Sequence, residues 1–167
     1  AIYVRSPHAH ANIKGVDSSK AEAMDGVVKV FTGKDIADAG IVGSICGWQV
    51  DFKNGDTMKE PGHPIMVADK VRHVGDAVAL VIAEDRQTAR DAAGLVEVNY
   101  EVLDAVVDPK AATQDGAPLV HDDVPNNTIF DWELGNKEET DAAFEKAHHI
   151  TELSYHNQKL IPNAIEP

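Results

Sequence analysis

Cysteine is nearly absent from this sequence. Cys46 stands alone among 167 residues, which excludes an internal disulfide framework and any cysteine-only metal site. A reducing, cytoplasmic setting fits that usage. Basic residues are in short supply, 15 against 28 acidic ones for a formal charge of −13. No basic cluster offsets the deficit, so nucleic acid and anionic membranes are excluded as partners. No apolar run approaches the length of a membrane span, and there is no signal-peptide pattern. A glycine-rich phosphate loop and a G-x-S-x-G elbow are missing as well. The chain opens at Ala1 without a methionine and stops at Pro167 on no natural ending, which reads as a piece of a longer protein.

What is present is a globular α/β pattern. A hydrophobic content of 43% and a length sufficient for one real core support it. The firmest part runs from His73 to Asp108. Ala77–Ile82 (AVALVI) is a continuous apolar run, the pattern of a strand buried on both faces. Asp85 can cap the helix that follows, in which Ala89, Ala92, Ala93 and Val96 share one face. Val96, Val98, Tyr100 and Val102 then alternate with polar residues, as in a half-buried strand. Such a strand–helix–strand unit predicts a right-handed crossover with its alanine face on a sheet. Gly94, read as lying inside the helix, costs about 1 kcal/mol relative to alanine.

Around this unit the order is readable. Ile2–Ser6 and Ala11–Val16 predict extended segments, and Asp17 or Ser18 caps a short helix that Gly26 ends. Val27–Phe31 predicts a strand, and GKDIADAG one or two helical turns. Residues 41–64 hold Gly43, Gly47, Gly55 and Gly62 without a sustained period, a loop long enough to be functional or to pack on a neighbouring surface. Ile65–Ala68 (IMVA) predicts a further strand. Asp108-Pro109 starts a helical turn, and Asp115–Thr128 has linker composition. Lys137–Ala147 predicts a second helix with Ala143, Phe144 and Ala147 on one side, and Ile150–Tyr155 a last strand.

Candidate chemistry is thin. His8 and His10 form an H-x-H pair that could reach one metal from an extended segment; local hydrogen bonding is the plainer reading. His148, His149 and His156 form a looser group without carboxylates at a metal-ligating spacing. His148-His149 ends the helix, where positive charge is favourable. Asp51, Asn54, Gly55 and Asp56 faintly resemble a calcium loop but lack its alternating ligands and closing glutamate. Asn126-Asn127-Thr128 matches a glycosylation acceptor. Cys46 has no basic neighbour, so a buried or inert thiol is expected, not a nucleophile. From the residues alone no catalytic, cofactor-binding or metal-binding residue is assigned.

Five ordered stretches carry a family resemblance. Val4–Ile13 (VRSPHAHANI) resembles the R-S-x-x-A-H-A-x-I opening of the large, molybdopterin-binding subunits of molybdenum hydroxylases. Those are the xanthine dehydrogenase, aldehyde oxidase and aerobic carbon monoxide dehydrogenase family. Asp25–Asp35 (DGVVKVFTGKD) is similar to that family's p-G-V-x-x-V-x-T-x-x-D segment. Asp69–Glu84 resembles V-x-x-V-G-x-x-V-A-x-V-x-A-E, and Val98–Asp108 resembles V-x-Y-E-x-L-x-A-V-x-D. Pro162–Pro167 (PNAIEP) resembles P-x-x-x-E-P. Asp25, Asp104 and Ile165 depart from the pattern by replacing two prolines and a methionine.

The resemblance implies an α/β-hammerhead domain with a mixed sheet over residues 1–146, including a linker-like stretch at about 109–136. Residues 147–167 would begin the molybdopterin-binding domain. It implies an oxidoreductase in the full-length protein, closest to the carbon monoxide dehydrogenase-like branch, and a non-catalytic role for this piece. The implied cofactors are molybdopterin, in the cytosine dinucleotide form in some members, with 2Fe–2S clusters and FAD on companion subunits or domains. In that family water supplies the oxygen, and electrons pass from molybdenum through the clusters to flavin. The residues that hold the cofactor lie downstream of the E-P motif and have no matching position here, and Glu166 is expected to be structural. Two other readings stand beside this one: a stand-alone binding or interaction module, and a histidine-based metalloprotein using His8, His10 and one of the later histidines.

Overall fold

The structure is a computed structural model that describes residues 1–157. It divides into two compact units, one covering Ala1–Trp132 and the other beginning at Glu133.

The first unit is built on six strands: β1 (Ile2–Arg5), β2 (Ala11–Asp17), β3 (Val27–Thr32), β4 (Lys70–Val71), β5 (Ala77–Ala83) and β6 (Glu97–Val102). They form two three-stranded sheets, ordered β1-β5-β3 and β4-β2-β6. Every pairing is antiparallel. The expected single mixed sheet is therefore two antiparallel sheets. The strand–helix–strand unit is present, but β5 and β6 lie in different sheets, so it is not a crossover within one sheet. The local pattern was sound. The partners chosen by β5 and β6 are remote in sequence, and periodicity within the unit is blind to them.

β5 is the central strand of its sheet, and its neighbours Val78 and Ala79 are both fully buried. Successive side chains point to opposite faces, so the apolar run is covered on both sides. Helix α3 (Arg86–Ala93) starts at Asp85, whose carboxylate accepts from the amides of Gln87 and Thr88. Its Ala89 and Ala92 are fully buried, and Ala92 packs with Ala21, Val30, Ala79 and Val81 in one apolar cluster. Alanine at the contact lets the helix backbone approach the sheet closely. Gly94 is the C-cap residue with φ −69°, outside the helix, so no interior-glycine cost applies.

Helix α1 (Ser19–Glu22) contributes Ala21 to the same cluster. The oxygen at its start comes from Asp17, which accepts from the Ser19 amide at 2.9 Å. Helix α2 (Gly33–Asp38) is closed by a reciprocal capping box between Thr32 and Asp35. A second cluster of Ala11, Val67 and Val71 lies beside the other sheet, with Ile13 and Tyr100 packed on it. Met66 and Val67 are buried, yet Ile65–Ala68 is not a strand. Val67 makes a single ladder-like bond to Ala77 O at 2.9 Å, and the pairing strand is Lys70–Val71.

The long 41–64 segment is tied down. Ser44 bridges His63 and Asp51 bridges Thr57. Lys53 and Lys59 donate through their amides to Asp131 O and Ile129 O at 2.7 and 2.9 Å. Gly43 sits where a Cβ would stand 1.6 Å from His63 O, so only glycine permits that approach. Helix α4 (Pro109–Ala112) follows its Asp108 cap. Asp115–Thr128 is fastened by Asn127, which accepts from the Val120 amide at 2.8 Å and donates to Ala112 O and Pro118 O at 2.9 and 3.0 Å.

In the second unit, α5 (Lys137–Glu145) is capped by Asn136. Phe144 is 57% exposed, so the apolar side expected there is uncovered. Ile150–Tyr155 carries no strand pairing among the described residues, so the expected last strand is not formed. The PNAIEP stretch and its Glu166 lie outside the described residues.

Candidate functional site

The histidine pair at the chain's start is split between two tasks. His8 sets its ring edge-on to Tyr100, with centroids 4.9 Å apart. His10 is buried, and its Nδ1 is 2.8 Å from Asp104 O. The later histidines are exposed. His148 and His149 fall beyond the last residue of α5, Glu145, and not on its final turn. Among the described residues no three His, Cys, Asp or Glu side chains are grouped to hold a metal.

The calcium-like stretch is a turn. Asn54 Oδ1 accepts from the Asp56 amide at 3.0 Å and Nδ2 donates to Asp56 Oδ2 at 2.9 Å, with Gly55 at φ +89°. Those contacts turn Asn54 and Asp56 toward each other within the turn. In the glycosylation-like triplet Asn126 is exposed, whereas Asn127 is the loop clamp described above. Cys46 is exposed, which removes the buried alternative of the expected buried or inert thiol, and its thiol donates to Trp48 O at 2.8 Å.

Sequence reasoning missed a cavity of about 350 Å³ between the 44–64 segment and the β4–β5 connection. Ser44, Cys46, Glu60, His63, Arg72, His73, Asp76 and His121 contribute to its lining. Asp76 accepts from the Arg72 and His73 amides at 2.6 and 3.2 Å, and its other oxygen is 3.1 Å from His73 Nδ1. Glu60 accepts from the Cys46 amide at 3.0 Å and from Gln49 at 2.5 Å. Burial holds His121 below the ordinary histidine pKa, and the Arg72 charge adds to this, while Asp123 and Asp122 oppose it. Asp122 itself is held below the usual carboxylate range by its hydrogen bond and ion pair with Lys70 at 2.7 Å. Only the isolated histidines and carboxylates were legible beforehand, since their convergence depends on loop geometry.

Glu60 and Asp76 brace backbone amides, and Arg72 is held by backbone carbonyls. No nucleophile hydrogen-bonded to a base is seen among the described residues of the lining. A pterin dinucleotide carries phosphates, and the cavity meets them with two carboxylates, Glu60 and Asp76, against one ammonium, Lys59, and one guanidinium. That guanidinium, Arg72, already donates to Val120 O and Lys70 O, each at 3.2 Å. The polar lining of this cavity does not fit such a cofactor.

Two antiparallel three-stranded sheets flanked by short helices define a small α/β domain. The family description "aldehyde oxidase and xanthine dehydrogenase, a/b hammerhead domain" matches residues 1–104, and the chain belongs to that family. It is 35% identical to the carbon monoxide dehydrogenase large chain of Afipia carboxidovorans, over 98% of this chain and 20% of that one. It is 37% identical to the nicotine 6-hydroxylase large subunit of Paenarthrobacter nicotinovorans, over 93% and 18%. A solved Cu,Mo-CO dehydrogenase in its carbon monoxide reduced state superposes with a TM-score of 0.74 at 38% identity, covering 89% of this chain and 19% of that one. The chain thus spans about a fifth of the length of the relatives it matches.

Proposed function

We propose that this chain is the N-terminal structural domain of a molybdenum-dependent hydroxylase large subunit, of the carbon monoxide dehydrogenase or xanthine dehydrogenase kind. The observation that carries this reading is the continuous match of 98% of the chain to a fifth of a carbon monoxide dehydrogenase large chain. The domain itself is non-catalytic. Molybdopterin is held by residues elsewhere in the protein, with 2Fe–2S and FAD on companion subunits or domains. The hammerhead part runs through residue 146 and the molybdopterin-binding part opens at 147. The single unbridged cysteine supports a cytoplasmic setting, and no described helix is long and apolar enough to cross a membrane.

Exposed apolar side chains support a role in assembly. Val42, Ile45 and Trp48 are 78%, 82% and 75% exposed on the 41–64 segment, a clustering that marks surface meant to be covered. The test is metal and flavin analysis of the intact gene product purified with its companion subunits. Molybdenum, iron and flavin together are expected. A clean, folded protein holding none of them would refute the reading in favour of a binding module.

A further inference from the structure

His10 presents a problem that the chain does not solve by itself. The Asp104 carbonyl can only accept, so the Nδ1 facing it carries the proton and donates. In that tautomer Nε2 is a lone-pair acceptor, and it is buried with no partner among the described residues. The ring is also fixed in place, because the Leu103 amide donates to His10 O at 2.9 Å while Nδ1 holds the next residue's carbonyl. Buried acceptors are normally satisfied, so a missing donor is the first thing to look for.

The imidazole forms part of the wall of a second cavity, of about 290 Å³. The rest of that wall is mostly apolar and includes Val74, Val107 and Val120, with Arg72 held to backbone carbonyls. Val74 and Val107 are 63% and 88% exposed. An orphaned acceptor and an uncovered apolar rim therefore meet at one place. A metal on Nε2 would require further ligands, and the described residues group none. A charged ligand would lose its hydration against a mainly aliphatic wall. A neutral group with an apolar body and one donor satisfies both features.

We infer that this cavity is a socket for one side chain of the remaining polypeptide of the large subunit. That side chain is a tyrosine, tryptophan, threonine or serine whose O–H or N–H donates to His10 Nε2 while its carbon body covers Val74 and Val107. The inference rests on the reading of this chain as about a fifth of a larger subunit, as it is of its relatives.

The experiment uses the intact gene product with the subunits that purify with it. Val107 is replaced by the photoreactive p-benzoylphenylalanine, the protein is irradiated, and the adduct is mapped by mass spectrometry. The expected product joins position 107 to a peptide of the same polypeptide outside these 167 residues. The donor in that peptide is then removed (tyrosine to phenylalanine, for example) alone and together with His10→Phe. The pair is expected to lower the melting temperature no further than either change alone, the signature of coupled partners. An adduct to another subunit, to a small molecule or within residues 1–157, the absence of an adduct, or additive melting shifts would each overturn the socket. Molybdenum, iron and flavin are measured on the same preparation. If they are present and the adduct fails, the socket alone falls; if they are absent, the parent reading falls and takes the socket with it.

Discussion

Replacing Gly33 by alanine tests how closely α2 is seated. Gly33 is the first residue of α2, and a Cβ there would stand 2.0 Å from Val67 O, 2.4 Å from Val67 C and 2.8 Å from Ala68 N. All three are backbone atoms, so no side chain can swing aside. Relief requires parting α2 from the 66–68 segment by more than an ångström. Forcing such a shift in a packed interior costs about 1–3 kcal/mol. If Val67, 3% exposed, is lifted out of its cluster instead, its lost burial costs about 1.5–3 kcal/mol. Alanine's better helix propensity returns at most about 1 kcal/mol. The expected net loss is roughly 2 kcal/mol, from a total that is typically about 5–15. Gly15→Ala is the control, since a Cβ there meets nothing within 4 Å, and it should change stability by no more than about 0.5–1 kcal/mol. Urea unfolding of the 167-residue chain, followed by circular dichroism, reads both. With a slope of about 2 kcal/mol/M, Gly33→Ala should lower the midpoint by roughly 1 M. If both variants unfold together with the wild type, the close-approach argument is wrong.

Three further outcomes are expected. Gly43→Ala collides with His63 O and should open the Ser44–His63 bridge, seen as faster amide exchange and proteolysis across 41–64 with α3 still protected. Asn127→Ala removes three hydrogen bonds and should cost about 1.5–4 kcal/mol, with tryptic cleavage appearing first at Lys110; unchanged stability would show that the clamp is idle. The folded-state pKa of Asp85 is depressed by its bonds from Thr88 and Gln87, so its contribution is full above the unfolded value, near pH 4, and is lost as the pH falls through the lower folded value. Asp85→Asn still caps the helix and should flatten that acid limb of the stability–pH curve; an identical acid limb would rule out Asp85 as a source of it.

The local layer of the fold was legible, and the reason is physical. The Asp85 cap, the Ala89/Ala92 face and the Val98/Tyr100 alternation depend on neighbours within a few residues, where period and capping chemistry act. Sheet membership was not legible, because β5 pairs with β1 and β3 and β6 pairs with β2, choices made across long loops. Met66 and Val67 misled for the same reason. Their apolar run reflects burial in a turn-rich segment, and burial alone does not make a strand. The proline-bearing 115–128 stretch looked like linker, yet Asn127 holds it from within, since one amide side chain can serve three distant backbone groups. Of the cavity linings, Cys46 and His10 were singled out beforehand, Cys46 as a buried or inert thiol and His10 as half of an H-x-H pair whose plainer reading was local hydrogen bonding; the missing donor at Nε2 could be seen only once Asp104 was placed.

The alternation of strands between the sheets bears on how this chain is made. In sequence order the six strands go to one sheet, then the other, without exception. No two strands adjacent in sequence pair with each other, so neither sheet can form as a stack of local hairpins. Most of the loop-closure entropy must be spent before the pairings return it, which places the domain among slow folders. For a nascent chain, the ribosome must release β6 before β2 has its main partner. Until then the exposed β2 edge is open to mispairing.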